Sequence, residues 1–462
     1  MSCEARSRWR AASWRRGGHG ARSALPPCRG VSRGLTVGSG RILFITEAYP
    51  PALTAGALSV GKLVHALVSA GHDVTVLARP RDPDGRSDVD SSPCWHQLQV
   101  PVVRPPEPAG KARLLTAGVA RLWGRLPAIG GWIYLAYRSA RSLVVQERFD
   151  CVITGYMPFR TALIGEALKR EFGTPWLTRF PDPSPWCLFP APYGPGRPVT
   201  VRDRYMVRRV RAALTHADAL IAPSARMAAY IDRVYAGVFD RRHIVLPHIG
   251  WARPANGRGA RAPVRLLHAG IMSRERDSDR VAVMLRKTLL KVRDLGLDVR
   301  LTFTGAAPGD KNVPVQLRDL RRYFEWTPPV GYEESLAHIN EATALLLIEA
   351  VMGEGIYMPS KLADYAVSGK PVLMFSPDEG TVADLVGGRS HPGFLTQDPD
   401  LASMRLVEFI RKAAAGEDLT AYRFPDPSRF SPERVVKLLD DGLQRYAPGI
   451  TAAQPRSPSG GH

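Results

Sequence analysis

Short apolar runs alternate with helix-patterned segments along most of this chain, and few folds accept that pattern. The runs Arg41–Thr46 (RILFIT) and DVTVLARP, from Asp73, flank a segment at about Ser59–Ser69. There Val60, Leu63, Val64 and Leu67 recur at helical spacing, and Gly71 stops the helix. A strand–helix–strand opening calls for a parallel sheet with right-handed crossovers. The series continues through strands at Cys151–Thr154, Trp176–Phe180, Ala219–Ile221 and Ile244–Leu246, with helices at about Arg160–Phe172 and Val201–Leu214. The segment Trp251–Pro263 (WARPANGRGARAP) has no period and is rich in Pro, Gly and Arg, so it marks a boundary. A second series follows, with strands Val264–Leu267, Val299–Thr304, Phe324–Trp326, Ala344–Ile348 and Val372–Phe375. Its helices are expected at about Ser278–Leu295, Tyr332–Ile339, Pro359–Val367, Thr381–Val386 and Ala402–Ala413. The expected divisions are a disordered Arg-rich tail (1–36), an N-terminal α/β domain (37–250), a linker (251–263), a C-terminal α/β domain (264–430), a closing helix (431–447) and a tail (448–462). Open parallel sheets bind ligands at the carboxyl ends of their strands, so two of them point to a cleft between the domains.

The stretch Gly353–Phe375 (GEGIYMPSKLADYAVSGKPVLMF) carries the clearest local chemistry. It reads as a loop, a helix opening at Pro359-Ser360, a stop at Gly369 and a buried strand. A helix N-terminus fed by a glycine-containing loop offers free N–H groups and a partial positive charge, which suits a phosphate. Lys361 adds a formal charge in the first turn, and Asp364 lies on the same face as Ser360. The competing reading is an ordinary helix–strand unit with Lys361 and Asp364 solvated.

Composition bounds the rest. A chain of 462 residues suits two or three domains. Five scattered cysteines without metal spacing fit a reducing compartment, hence a cytoplasmic protein. No apolar run reaches spanning length. The net charge of +20 is partly local, since residues 1–34 hold eight arginines against Glu4. That segment reads as disordered, as a targeting segment, or as lying upstream of a true start near Val37. The remaining charge favours an anionic partner. No nucleic-acid module is present, and nucleic acid is not expected. Residues 111–148 combine Trp123, Trp132, Tyr134 and Tyr137 with seven basic residues against Glu147. They read as two basic helices lying peripherally on the inner face of an anionic membrane, or as packed helices with snorkelling arginines.

Four stretches carry a family resemblance: FITEAYPPALTAGALSVGKLVHALVSAGHDVTVL; CVITGYMPFRTALIGEALKREFGTPWLTRFPDPSPW; HADALIAPSARM with IVLPHIG; and LLHAGIMSRERD through PPVGYEESLAHINEATALLL to PSKLADYAVSGKPVL. In this order they resemble a family 4-like glycosyltransferase of GT-B fold, two Rossmann-like α/β domains facing across a cleft. The resemblance implies transfer of a sugar from a nucleotide-diphosphate sugar to the hydroxyl of a sugar or lipid-linked acceptor, with retention. The basic, aromatic stretch 111–148 adds the expectation of a lipid-linked or envelope-associated acceptor, hence a role in envelope polysaccharide or glycolipid synthesis.

The resemblance implies roles for individual residues as well. Asp364, five before Gly369, matches the carboxylate that binds the ribose. The partner carboxylate eight residues earlier is replaced by Ile356, and Glu354, beside Gly355, is the nearest substitute. Arg276, with Arg274 second, is expected at the diphosphate after Gly270, together with Ser360 and Lys361. Ala55-Gly56 matches the small-residue loop that closes over the phosphate, where Cβ groups obstruct. Asp182 matches an acid facing the acceptor and would orient or deprotonate its hydroxyl. Lys361, Arg276 and the helix N-terminus would meet the charge of the leaving diphosphate, so neither a metal nor a separate cofactor is expected. The triplets Asp88-Val89-Asp90 and Asp277-Ser278-Asp279 read as chance. Two alternatives stay open. One is a non-catalytic GT-B-like nucleotide-sugar-binding partner, suggested by Ile356. The other is a nucleotide-sugar 2-epimerase, which the dispersed histidines disfavour.

Overall fold

A computed structural model describes residues 39–80, 90–95, 100–106, 111, 131–155, 158–251, 263–270, 272–273, 275–276, 279–305 and 315–448. The N-terminal domain contains β1 (Arg41–Thr46), α1 (Ala55–Ser69), β2 (Asp73–Ala78), β3 (Val102–Val103), α2 (Gly131–Gln146), β4 (Cys151–Gly155) and α3 (Pro158–Phe172). It continues with β5 (Trp176–Arg179), α4 (Val201–Leu214), β6 (Ala219–Ala222), α5 (Ala225–Val234) and β7 (His243–Val245). Its sheet runs β3-β2-β1-β4-β5-β6-β7, parallel throughout.

The C-terminal domain contains β8 (Val264–Ala269), α6 (Asp279–Asp294), β9 (Val299–Thr304), β10 (Phe324–Thr327), α7 (Tyr332–Glu341), β11 (Ala344–Ile348) and β12 (Glu354–Gly355). Then come α8 (Ser360–Val367), β13 (Val372–Phe375), β14 (Glu379–Gly380), α9 (Thr381–Val386), α10 (Pro399–Ala414) and α11 (Pro432–Tyr446). The second sheet runs β10-β9-β8-β11-β13, again parallel. Strand order reverses between β1 and β4 and between β8 and β11. Those reversals open the crevices in which such sheets bind ligands.

The expected strands are buried as their apolar runs require; Ile42–Ile45 and Val372–Phe375 are fully covered. Gly71 and Gly369 take positive φ just past α1 and α8, as a left-handed helix stop needs. Two local differences have simple causes. Helix α1 begins a turn earlier than expected, because the Thr54 side chain accepts from Ala57 N–H and caps it. Helix α5, not anticipated, is capped by Ser224 and buries Met227, Ala228, Tyr230 and Ile231.

Helix α11 returns to the N-terminal domain. Val435, Val436, Leu439 and Leu443 pack with Ile42, Val60, Leu63 and Leu67. The His72 ring meets Asp440 at 2.9 Å. A Cβ on Gly442 would fall 2.3 Å from Ile244, so the helix needs glycine there to lie this close. Ile356, from the C-terminal domain, is 2% exposed and sits in the N-terminal core with Phe180, Leu188 and Met227.

The described half of the basic aromatic stretch is packed helix. Trp132, Ile133, Ala136 and Tyr137 of α2 are buried in the N-terminal core, and the Tyr137 hydroxyl donates to Glu171. These aromatics are spent on core packing, which is the packed-helix alternative for residues 131–146. Residues 112–130 lie outside the described residues. No described helix is long and apolar enough to cross a membrane.

Candidate active site

Three separate stretches converge at the carboxyl end of β8. Gly270 has φ +113, and a Cβ there would lie 3.0 Å from Lys361 Nζ. A left-handed glycine therefore lets the backbone pass the lysine head. Tyr365 clasps the strand to α8, its hydroxyl accepting from Ala269 N–H at 2.8 Å. Lys361 Nζ lies 3.0 Å from His268 Nε2, while His268 Nδ1 lies 2.9 Å from the Leu346 carbonyl. A carbonyl only accepts, so Nδ1 carries the proton and Nε2 accepts from the ammonium. Burial, then Lys361 and Arg276, hold the His268 pKa well below its usual value, in keeping with this neutral form.

Lys361 itself is held well below the usual lysine range, by burial and then by the charge of Arg276. Two cations are thus crowded at the N-terminus of α8, whose own dipole adds positive potential. Opposite them stand carboxylates in different environments. Glu349, directly after β11, accepts from Ser376 Oγ at 2.5 Å and is buried. Burial pushes its pKa up to about 7, against the Ser376 hydrogen bond and the charge of Arg276. Asp182, just beyond β5, is open to water by surface area yet crowded by protein, as befits a group lining a deep crevice. Burial raises its pKa; Arg179 and Arg276 pull it back. Arg276 also reaches across the cleft, Nε to the Tyr193 hydroxyl at 3.4 Å, and Tyr193 packs edge-on against Tyr357 with centroids 5.1 Å apart. Groups of the two domains therefore share one electrostatic environment.

Of the residues expected at the diphosphate, Gly270, Arg276 and Lys361 are brought together, and Ser360 is the first residue of α8 with Pro359 before it. Arg274 lies outside the described residues. Four expectations need correction. Ala55 and Gly56 are the first two residues of α1, not a loop, because the Thr54 cap winds them into the helix. Glu354 is engaged elsewhere: it pairs with Arg226 at 2.9 Å, and Arg226 also holds Asp384. Gly355 sits in β12 against Gly380, where a Cβ on Gly380 would come within 2.8 Å of Gly355 backbone. Glu354 is thus no replacement for the carboxylate missing at Ile356, whose side chain plugs the N-terminal core.

Asp364 is the fourth. It is 6% exposed and fully engaged. Lys62 Nζ of α1 donates to both its oxygens, at 2.9 and 2.7 Å. The Tyr332 hydroxyl and Trp251 N–H each donate to Oδ1 at 2.8 Å. Lys62 also donates to the Ile249 carbonyl at 3.2 Å and lies 4.5 Å from the centre of the Tyr332 ring. The carboxylate expected on a ribose is instead a tie between the domains. A second tie lies beside it. Asp90 accepts from Trp95 Nε1 at 2.6 Å, from Ser92 N–H at 3.0 Å and from Tyr332 N–H at 3.2 Å. The triplet at Asp88–Asp90 is therefore not idle, since its last member caps α7 from the other domain. Trp95 stacks on Trp251, centroids 5.4 Å apart.

Sequence reasoning missed Glu349, His268 and Arg179. Each stands at or just past the carboxyl end of a central strand, and that position was the available signal. Among the described residues no group of three or more His, Cys, Asp or Glu is gathered to hold a metal.

Comparison with known proteins agrees with this fold. Residues 55–250 match the family model described as a glycosyl transferase 4-like domain. No curated protein matches the chain in sequence. Among solved structures, Anabaena HepE in complex with UDP and glucose superposes with a TM-score of 0.60 at 11% identity, covering 88% of this chain and 100% of that one. Sucrose-phosphate synthase from Thermosynechococcus elongatus gives 0.53 at 16%, covering 89% and 97%. A glycosyltransferase involved in avilamycin A biosynthesis gives 0.52 at 16%, covering 89% and 98%. Residues 55–250 thus carry a glycosyl transferase 4-like domain, and the chain as a whole has the GT-B fold of these structures.

Proposed function

We propose that this protein moves a sugar from a nucleoside-diphosphate sugar to an acceptor hydroxyl, with retention at the anomeric carbon. The convergence of Gly270, Arg276 and Lys361 at the N-terminus of α8 carries this reading. Lys361, buried and crowded by the charge of Arg276 at a helix N-terminus, awaits an anion, and a diphosphate supplies one. As the C1–O bond breaks, charge grows on the leaving diphosphate, and these groups with the helix dipole stabilise it where it develops. The reading assigns that task to the protein and needs no metal. Asp182, its pKa raised and solvent-reachable, takes the proton of the attacking hydroxyl. Anabaena HepE was crystallised with UDP and glucose, so UDP and UDP-glucose are the first donors to try.

The test is calorimetric titration with UDP, GDP and ADP, and then turnover with the matching sugar nucleotides. Binding of one nucleotide at micromolar level, weakened at least tenfold by Lys361→Gln, is expected. No binding of any of the three would sink the proposal. Proton NMR of the product gives the anomeric configuration, and an inverted product removes the retention claim.

A further inference from the structure

The guanidinium of Arg179 is held from one side and left open on the other. It stands at the end of β5, 4% exposed, with its Cβ packed over the bare end of β4 at Gly155. Arg179 Nη2 donates to Ser59 Oγ at 2.7 Å. Ser59 Oγ lies 2.9 Å from His248 Nδ1. A guanidinium has only donors, so Ser59 accepts from it and turns its own proton to His248. That leaves the other ring nitrogen protonated for the Met358 carbonyl. Burial, then Arg179 and Lys62, bring His248 down to about 3, so this neutral tautomer holds across the working pH range. The relay runs one way, from Arg179 through the N-terminal domain into the C-terminal one.

The other arm has nothing to bind. Arg179 Nη1 is buried and has no hydrogen-bond partner among the described residues. Burial lowers the guanidinium only to about 10, so it stays cationic at neutral pH. An unpaired buried N–H on a cation is costly and persists where a ligand completes it. The surroundings belong to the acceptor side of the cleft. Asp182, three residues on, is the one carboxylate whose charge acts on Arg179. Asp182 also acts on Tyr357, whose hydroxyl is likewise buried without a partner among the described residues. The donor cations Lys361 and Arg276 come from the other domain.

We propose that the acceptor is itself an anion, a sugar bearing a carboxylate or phosphate that seats on Arg179 Nη1. This rests on the transferase reading above. Its free hydroxyl then lies at Asp182. The hydroxyl oxygen forms the bond to C1 from the face that the diphosphate leaves, as retention requires, its proton passes to the Asp182 carboxylate, and the electron pair of the broken C1–O bond leaves with the nucleoside diphosphate. Tyr357 offers one further hydrogen bond to the same sugar.

The test is competitive calorimetry at saturating UDP, so that the donor cations are occupied, with glucose, glucuronate and glucose 6-phosphate as probes. Glucuronate, glucose 6-phosphate or both should bind at least tenfold more tightly than glucose; which of them does separates a carboxylate from a phosphate acceptor. In Arg179→Gln that preference should vanish while UDP affinity stays within twofold. Arg179→Lys keeps the buried charge and the Ser59 contact but has no second arm, so it should lose most of the preference. It serves if the glutamine variant does not fold. Equal binding of all three sugars, or a preference that survives both variants, overturns the inference. Failure of UDP to bind overturns the transferase reading instead and is seen before any sugar is added.

Discussion

Lys62 Nζ meets both oxygens of Asp364, at 2.7 and 2.9 Å, across 302 residues of chain and between two domains. Both side chains are nearly fully buried, with the Tyr332 hydroxyl and the Trp251 N–H completing the carboxylate. Removing one member of such a pair strands the other charge in a poor solvent, at about 3–5 kcal/mol. Asp364→Ala should therefore lower stability by that order in urea unfolding. UDP affinity per folded molecule should fall less than threefold. The double variant Lys62→Met, Asp364→Leu should recover much of the loss, because it removes both charges. A ribose ligand would behave oppositely, with stability little changed and UDP affinity reduced tenfold or more.

Lys361 and Arg276 should show the reverse division. Lys361→Gln relieves a buried cation held below its usual pKa, so stability should stay level or rise slightly. UDP affinity should drop about 10- to 100-fold, and Arg276→Gln should follow it, each as expected for a lost charge-assisted contact of about 1.5–3 kcal/mol. Comparing the unfolding midpoint with the calorimetric Kd for the two variants checks both halves.

The protonation of Glu349 links stability to pH. Its folded pKa is raised to about 7 from the model-compound value of 4.5. Below pH 4.5 both states hold the proton and the group has no effect. Between 4.5 and 7 the unfolded chain releases a proton that the folded chain keeps, so stability falls as pH rises. Above 7 the loss is complete, on the order of 3 kcal/mol. Glu349→Gln should flatten that decline, and urea unfolding at pH 5 and pH 8 shows it. A diphosphate beside Arg276 adds negative charge near Glu349 and Lys361, and so raises both pKa values. UDP binding near pH 7 should then take up protons, seen as a dependence of the binding enthalpy on the ionisation enthalpy of the buffer. Proton release would contradict this placement of the diphosphate.

Asp90 serves as the missing cap of α7, whose own preceding residue, Gly331, has no side chain to offer. Asp90→Ala strands Trp95 Nε1 and Tyr332 N–H in a buried setting, at about 1–3 kcal/mol each. The Trp95–Trp251 stack should loosen with it, so tryptophan fluorescence should shift to longer wavelength before global unfolding begins. An unchanged emission spectrum would argue against Asp90 as the support of that stack.

The cluster at Gly270, Ser360 and Lys361 was legible in the sequence because its signals are local. A glycine ends β8, a proline and a serine open α8, and Lys361 follows within one turn; short-range geometry places all of them. What the sequence hid depends on long-range encounters. Nothing near Asp364 announces that Lys62 will arrive from another domain, and its spacing before Gly369 suits a ligand contact equally well. Asp90 sat in a polar stretch that reads as solvent-exposed until Tyr332 N–H is brought to it. Arg179 looked like any charge at a strand end, since only the packed structure shows that one arm is committed and the other is not. The aromatic residues Trp132 and Tyr137 left two readings open for the same reason: a helix face carries no mark of whether protein or lipid will cover it.

The return of α11 to the first domain bears on how the protein is made. A ribosome delivers the first sheet, and with it the face of α1 bearing Val60, Leu63 and Leu67, well before Val435, Leu439 and Leu443 exist to cover that face. Roughly 200 residues separate the two, which at typical synthesis speeds is about 10–40 s. For that interval the nascent chain presents a bare apolar strip, and Ile356 is likewise absent from the core it will plug. A stop codon a few turns early would thus leave Lys361, Arg276 and Asp182 in the chain but remove the cover that α11 gives the first domain's core.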